Sequence, residues 1–276
     1  MKKINFNSRS LFALPYLIYM FIFVVVPLFM LLGYAFFGDG SFSFAEVSAF
    51  FTDSSQWATI GRSLRIALTA ALTCILIGYP LAYAISKIRS KTAQYMVLMA
   101  LVAPMWINGL LRTIALKDLV TLIDTFFMEK LGFSLGFETG ETLLTLGLII
   151  DYLPFMLMPI YLVITGIPKS YLEVSADLGA SPFITFTKVV LPLSMSGIIS
   201  GFLMVFTPAV STYYMSEYLG NQSTFMIGEQ LNIMFTKDNK CGAAVIALVL
   251  LALVGLSVFI ANCLSRIGNN KKGGIA

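Results

Sequence analysis

Pro168-Lys169-Ser170-Tyr171-Leu172-Glu173-Val174-Ser175-Ala176-Asp177-Leu178-Gly179-Ala180-Ser181-Pro182, running on to Leu191-Pro192, is a polar stretch between two long apolar runs. It is punctuated as two short helices. Ser170 with Glu173 three residues on has the form of a capping box, and Gly179 stands where a left-handed residue ends a helix. Ser181 and Pro182 then open a second helix. Tyr171, Val174 and Leu178 fall at i, i+3 and i+7, so the first helix carries an apolar stripe that something must cover.

The flanking runs, about 142–165 and 195–218, belong to a wider pattern with others at about 12–37, 64–86, 94–116 and 243–265. A helix needs about 20 residues to cross a 30 Å hydrocarbon core, which each run supplies. The first is longer than the roughly 7–15 apolar residues of a signal peptide, so it reads as a retained span. Of the 276 residues 58% are hydrophobic and 12% charged, against about 45–50% and 25% in soluble domains. The 18 basic and 14 acidic side chains cannot cover a water-soluble chain of this length. The expected fold is an all-α membrane protein of about six transmembrane helices.

Direction follows from the basic residues, which short cytoplasmic loops retain. With the N-terminus inside, the inner segments hold Lys2, Lys3, Arg9, Lys87, Arg89, Lys91, Lys169, Lys188, Arg266, Lys271 and Lys272 against only Glu173 and Asp177. The outer segments hold Arg62, Arg65, Arg112, Lys117, Lys130, Lys237 and Lys240 against 11 carboxylates. Both termini are therefore expected in the cytoplasm. Residues 1–11 form an inner segment, 12–265 a six-span domain with its inner loop at 168–192, and 266–276 a basic tail. The net charge of +4 follows from this bias and calls for no nucleic acid partner.

Histidine is absent, which removes imidazole-based catalysis and most metal sites. Cys74, Cys241 and Cys263 lie too far apart to suggest a disulfide framework. No G-x-x-x-x-G-K-[ST] phosphate loop occurs, so nucleotide hydrolysis would belong to another chain. No nucleophile and base constellation is visible, and the 14 methionines are scattered as packing residues. The chain is not expected to be an enzyme, and no metal or cofactor is expected in it.

Glu173, Gly179, Leu191 and Pro192 have the spacing of the E-A-A-x3-G-x9-I-x-L-P loop, with Val174 and Ser175 for its alanines and Val189 for its isoleucine. In these residues the chain resembles permease subunits of binding-protein-dependent ABC importers, with the MetI-like transmembrane fold. The resemblance implies that the loop, at Glu173, Asp177, Leu178, Gly179 and Ala180, couples to an ATPase subunit. Val102 to Thr113, Tyr152 to Met156, Asp177 to Ser181 and Tyr213 to Glu217 further resemble the spermidine/putrescine permeases of the PotB type. Permeases for iron, sulfate or thiamine share the architecture and stay open as alternatives, as does a secondary transporter without an ATPase. The implied partners are a second homologous permease subunit, two ATPase subunits carrying ATP-Mg, an extracytoplasmic substrate-binding protein and the lipid of a bacterial inner membrane.

Asp151 lies about nine residues into the fourth run, roughly 14 Å below its outer end. A carboxylate there costs about 2.5–3.5 kcal/mol to insert, so it must face a partner or a watery cavity. Together with Trp106, Asn108, Tyr214 and Glu217 it is a candidate for the path of a cation, through carboxylate and cation–π contacts. Equally open is a plain pairing of Asp151 with Arg112 or Asn108. Proline at 80, 104, 154, 159 and 208 supplies possible irregularities in the spans.

Overall fold

The computed structural model describes residues 14–37, 42–134, 136, 140–221 and 224–270, with side chains as far as Cys263 in the last helix. The segment 1–11 and residues 271–276 of the tail lie outside them. In chain order the helices are α1 Leu14–Phe37, α2 Ala45–Thr52, α3 Ser54–Ser86, α4 Lys91–Val102, α5 Gly109–Leu131 and α6 Glu141–Thr165. There follow α7 Lys169–Asp177, α8 Pro182–Leu193, α9 Met195–Ser211, α10 Tyr214–Leu219, α11 Ile227–Thr236 and α12 Lys240–Asn270. No strand occurs among the described residues.

Four helices, α1, α3, α6 and α12, are each long and apolar enough to cross a bilayer. Up to six spans result if two bent pairs count as one each: α4 with α5, bent by 97°, and α8 with α9, bent by 60°. The run at 142–165 coincides with α6, whereas the others differ in instructive ways. α3 begins at Ser54 rather than at 64, because Asp53 accepts the Ser55 backbone N–H at 2.8 Å and starts the helix early. Arg62 and Arg65, counted with the outer segments, therefore ride on it.

The run at 94–116 is not one helix. Pro104 supplies no N–H, the chain tightens into a 3-10 turn to Trp106, and Asn108 Oδ1 accepts from the N–H groups of Leu110 at 2.9 Å and Leu111 at 3.4 Å. The capped helix beyond sets off in a new direction. The run at 195–218 ends early too, at Ser211, where Thr212 is extended with ψ 136°. Pro80, Pro154, Pro159 and Pro208 all sit inside continuous helices, so of the five expected irregularities only Pro104 stands at a break. Pro27 and Pro192 act differently: each follows a π-helical turn, Phe21–Val25 and Phe186–Val190, which absorbs the ladder bond the ring cannot make.

The chain divides into two units. One comprises residues up to Gln56 with Leu231–Leu251. In it the Cys241 thiol reaches the Tyr34 carbonyl at 3.1 Å, and the rings of Phe42 and Phe44 meet edge to face at 4.9 Å. The other comprises Trp57–Gln230 with Ala252 onward and holds the candidate site.

Its core is the contact of α6 with α9. Gly197 and Gly201 form a G-x-x-x-G face pressed against Met156 to Ile160: a methyl on Gly197 would lie 2.9 Å from the Pro159 carbonyl oxygen. Small residues let membrane helices approach this closely, where packing and not hydrophobic transfer drives association. α3 joins them through Gly78, packed on Met156, and through a 2.8 Å hydrogen bond between the Tyr79 and Ser194 hydroxyls. Gln94 on α4 accepts from the Tyr161 hydroxyl at 2.9 Å and donates to the Ile88 carbonyl at 2.7 Å, fixing the start of α4 against the end of α6.

Candidate functional site

The inner loop forms the two helices read from sequence, with one correction. The capping box at Ser170 and Glu173 is absent. Pro168, at φ −58° and ψ 136°, already turns the chain into α7, and its carbonyl accepts the Tyr171 N–H at 3.2 Å. Ser170 therefore lies inside the first turn, past the position from which a side chain caps. The end is as expected. Gly179 is left-handed at φ 74°, its N–H bonds the Ala176 carbonyl at 2.9 Å, and the Ala180 N–H bonds that of Ser175 at 3.1 Å. This pair of bonds is a Schellman motif.

Ser181 accepts from Ile184 N at 3.4 Å to open α8, and the Ser175 and Thr185 hydroxyls, 2.9 Å apart, tie the two helices together. The stripe of Tyr171, Val174 and Leu178 is left bare, Leu178 being 83% exposed. With Ile184, Lys188 and Val189 it lines an apolar cavity of ≈ 480 Å³. Glu173, Asp177 and Gly179 are exposed beside it and Ala180 half-buried.

Asp151 is 4% exposed and pairs through Oδ1 with Arg112 Nε. The same guanidinium donates through Nη1 to the Pro104 carbonyl at 3.0 Å, so it joins the bend between α4 and α5 to α6. The phenol of Tyr214 stands beside the carboxylate and rests on Gly109, where a methyl would lie 2.9 Å from its hydroxyl. Tyr152 and Thr212 complete this polar cluster around Tyr214. Two buried acceptors in it, Asp151 Oδ2 and Thr212 Oγ1, have no hydrogen-bond partner among the described residues.

The structure thus brings together Asp151 and Tyr214 of the expected path, and of the two expected pairings it makes the one with Arg112. Asn108 spends its side-chain oxygen on the α5 cap. Trp106, expected deep in a span, sits at the bend and is 83% exposed. Glu217 is exposed on α10, beyond the end of α9, and its charge acts on Glu229. Burial, with Glu217 adding to it, pushes the Glu229 carboxyl above its ordinary value, while the Ser216 hydroxyl, donating at 2.5 Å, opposes the shift. Among the described residues no three His, Cys, Asp or Glu side chains are grouped to hold a metal ion. Thr212 was not singled out from sequence, and Tyr152 only within the stretch Tyr152 to Met156; nor was the Gly197 and Gly201 spacing, although G-x-x-x-G is a readable signal.

Residues 74–266 match the model of the family described as binding-protein-dependent transport system inner membrane component. The chain belongs to that family. The matched stretch includes Asp151, the inner loop and the α6–α9 core. Members of the family are transport permeases and not enzymes, and this chain is a multi-pass membrane subunit of an ABC importer. It is 32% identical to the spermidine/putrescine transport system permease protein PotB of Salmonella typhimurium (strain SL1344), over 92% of this chain and 93% of that one. It is 29% identical to PotB of Haemophilus influenzae, over 98% and 99%. Its fold is similar to a crystal structure of a bacterial ABC transporter that imports the acidic polysaccharide alginate, with a TM-score of 0.76, 16% identity and coverage of 94% and 95%. A second likeness, to the inward-facing MetNI methionine ABC transporter, has a TM-score of 0.57, 17% identity and coverage of 79% and 99%.

Proposed function

We propose that this subunit forms half of the translocation path of a polyamine importer, with spermidine and putrescine as substrates. The observation that carries the reading is the buried Asp151, whose second carboxylate oxygen lacks a partner, in a chain about one-third identical to PotB along nearly its whole length. An ammonium offers up to three donors, and the unpartnered Oδ2 and Thr212 Oγ1 are acceptors of the matching kind. Tyr214, Trp106, Asn108 and Glu217 are assigned to the same path, Trp106 through its exposed ring face.

The remaining half belongs to a second homologous permease subunit. Of two ATPase subunits, carrying ATP-Mg, one docks on the cytoplasmic stripe of Tyr171, Val174 and Leu178 with Glu173, Asp177, Gly179 and Ala180 beside it, and an extracytoplasmic binding protein delivers substrate. Both termini face the cytoplasm of a bacterial cell. The test is ATP-dependent spermidine uptake by the assembled importer in liposomes, challenged with putrescine, iron, sulfate and thiamine. Competition by putrescine alone supports the reading. Competition by an oxyanion, or uptake driven by an ion gradient without ATP, overturns it.

A further inference from the structure

We propose that Arg112 is an internal counter-ion that closes the path: between transport events its guanidinium holds the Asp151 carboxylate that a substrate ammonium takes during transport. The proposal rests on the polyamine reading above and adds to it a gate.

At 4% exposure Asp151 is out of reach of any solute in this arrangement, so a substrate must first displace what covers it. What covers it is a cation. Arg112 pairs through Nε with Asp151 Oδ1, and Asp151 Oδ2 takes no hydrogen bond from it. An arginine and carboxylate built for rigidity pair as a two-pronged fork, and this pair does not. The guanidinium is instead shared with the Pro104 carbonyl at 3.0 Å, across the 97° bend.

Arg112 also sits in the first turn of α5, a helix that begins anew at the Asn108 cap. The 97° bend separates α5 from α4, so a swing of α5 about it withdraws Arg112 without unwinding either helix. Tyr214, resting on Gly109 and beside Asp151, bridges the moving and fixed parts. Exchanging one cation for another keeps the buried carboxylate neutralised throughout, which avoids the large penalty of leaving it alone.

The experiment uses the assembled importer in liposomes, with the wild-type chain, Arg112→Gln, and the pair Leu116→Cys on α5 with Leu219→Cys on α10, whose side chains both border Gly147, on a background lacking Cys74, Cys241 and Cys263. A gate predicts that Arg112→Gln lowers the spermidine KM by about three- to tenfold and raises ATP hydrolysis without substrate, the size expected for a coupled neighbouring pair. It also predicts that bridging the two introduced thiols with a short reducible cross-linker stops substrate-stimulated ATP hydrolysis, and that reduction restores the level seen before bridging. Should Arg112→Gln fail to assemble, the thiol pair decides. An unchanged KM in Arg112→Gln, or undiminished hydrolysis in the bridged complex, overturns the gate while leaving polyamine transport standing. A wild-type importer that takes up no polyamine overturns both.

Discussion

Gly201 on α9 faces Met156 on α6 with no room for a side chain between them: a methyl on its α-carbon would lie 2.8 Å from Met156 Sδ and 3.0 Å from the Met156 carbonyl oxygen. Met156 is fully buried, so it has nowhere to retreat. Gly201→Ala is expected to cost about 1–3 kcal/mol by overpacking. It should lower the thermal midpoint of the purified subunit, whereas Gly255→Ala, where nothing lies within 4 Å, should not. Equal midpoints for the two variants would rule out the tight α6–α9 seam.

Gly179 is constrained differently. An added side chain meets nothing within 4 Å, so the cost of Gly179→Val is that of its φ of 74°, about 1–2 kcal/mol. The variant should insert and purify normally but hydrolyse ATP without uptake, because the last turn of α7 loses its Schellman bonds beside the apolar stripe. Normal uptake with normal hydrolysis would count against docking at this loop. Ser170→Ala should leave stability unchanged, since Ser170 makes no capping bond.

Removing Asp151 leaves the Arg112 guanidinium, its side chain 21% exposed, without its carboxylate. Asp151→Asn is expected to destabilise by about 1–3 kcal/mol and to lower the yield of assembled importer. Adding Arg112→Gln should restore much of the yield while polyamine uptake stays depressed, since the ammonium has lost its carboxylate. Yields that simply add, with no rescue in the double variant, would show that the two groups are not coupled.

Glu229 gives a pH dependence of definite sign. Its folded-state carboxyl is held above the ordinary value of 4.5, chiefly by burial. The folded state therefore keeps the proton longer than the unfolded chain, and stability falls as pH rises from about 4.5 through the raised value, then levels off. Glu229→Gln should flatten that part of the curve. Thermal midpoints of wild type and variant measured from acid to neutral pH provide the check, and parallel curves would contradict it.

Orientation is open to labelling. With the three native cysteines replaced, a cysteine at the exposed position 170 should react with an impermeant thiol reagent only from the cytoplasmic face. Reaction from outside would invert the topology and remove the inner loop from the ATPase side.

What the sequence determined by itself was whatever depends on near neighbours along the chain. Apolar runs mark α1, α6 and α12 because a helix needs only its own residues to satisfy its backbone in lipid. Gly179 and Ser181 end and start helices because a backbone angle and a capping bond are set within a few residues. Even locally, competing signals misled: Pro168 pre-empted the Ser170 cap, and Asp53 started α3 early. The tertiary structure alone decided which partner Asp151 took, that Asn108 spent its oxygen on a cap, that α4 and α5 parted at 97°, and that Trp106 came to the surface. Arg112 and Asp151 lie on different helices, and the charge of each announces only that it needs a partner. Which partner it finds is settled by how α5 packs beside α6, with Tyr214 resting on Gly109, distances that no local pattern encodes.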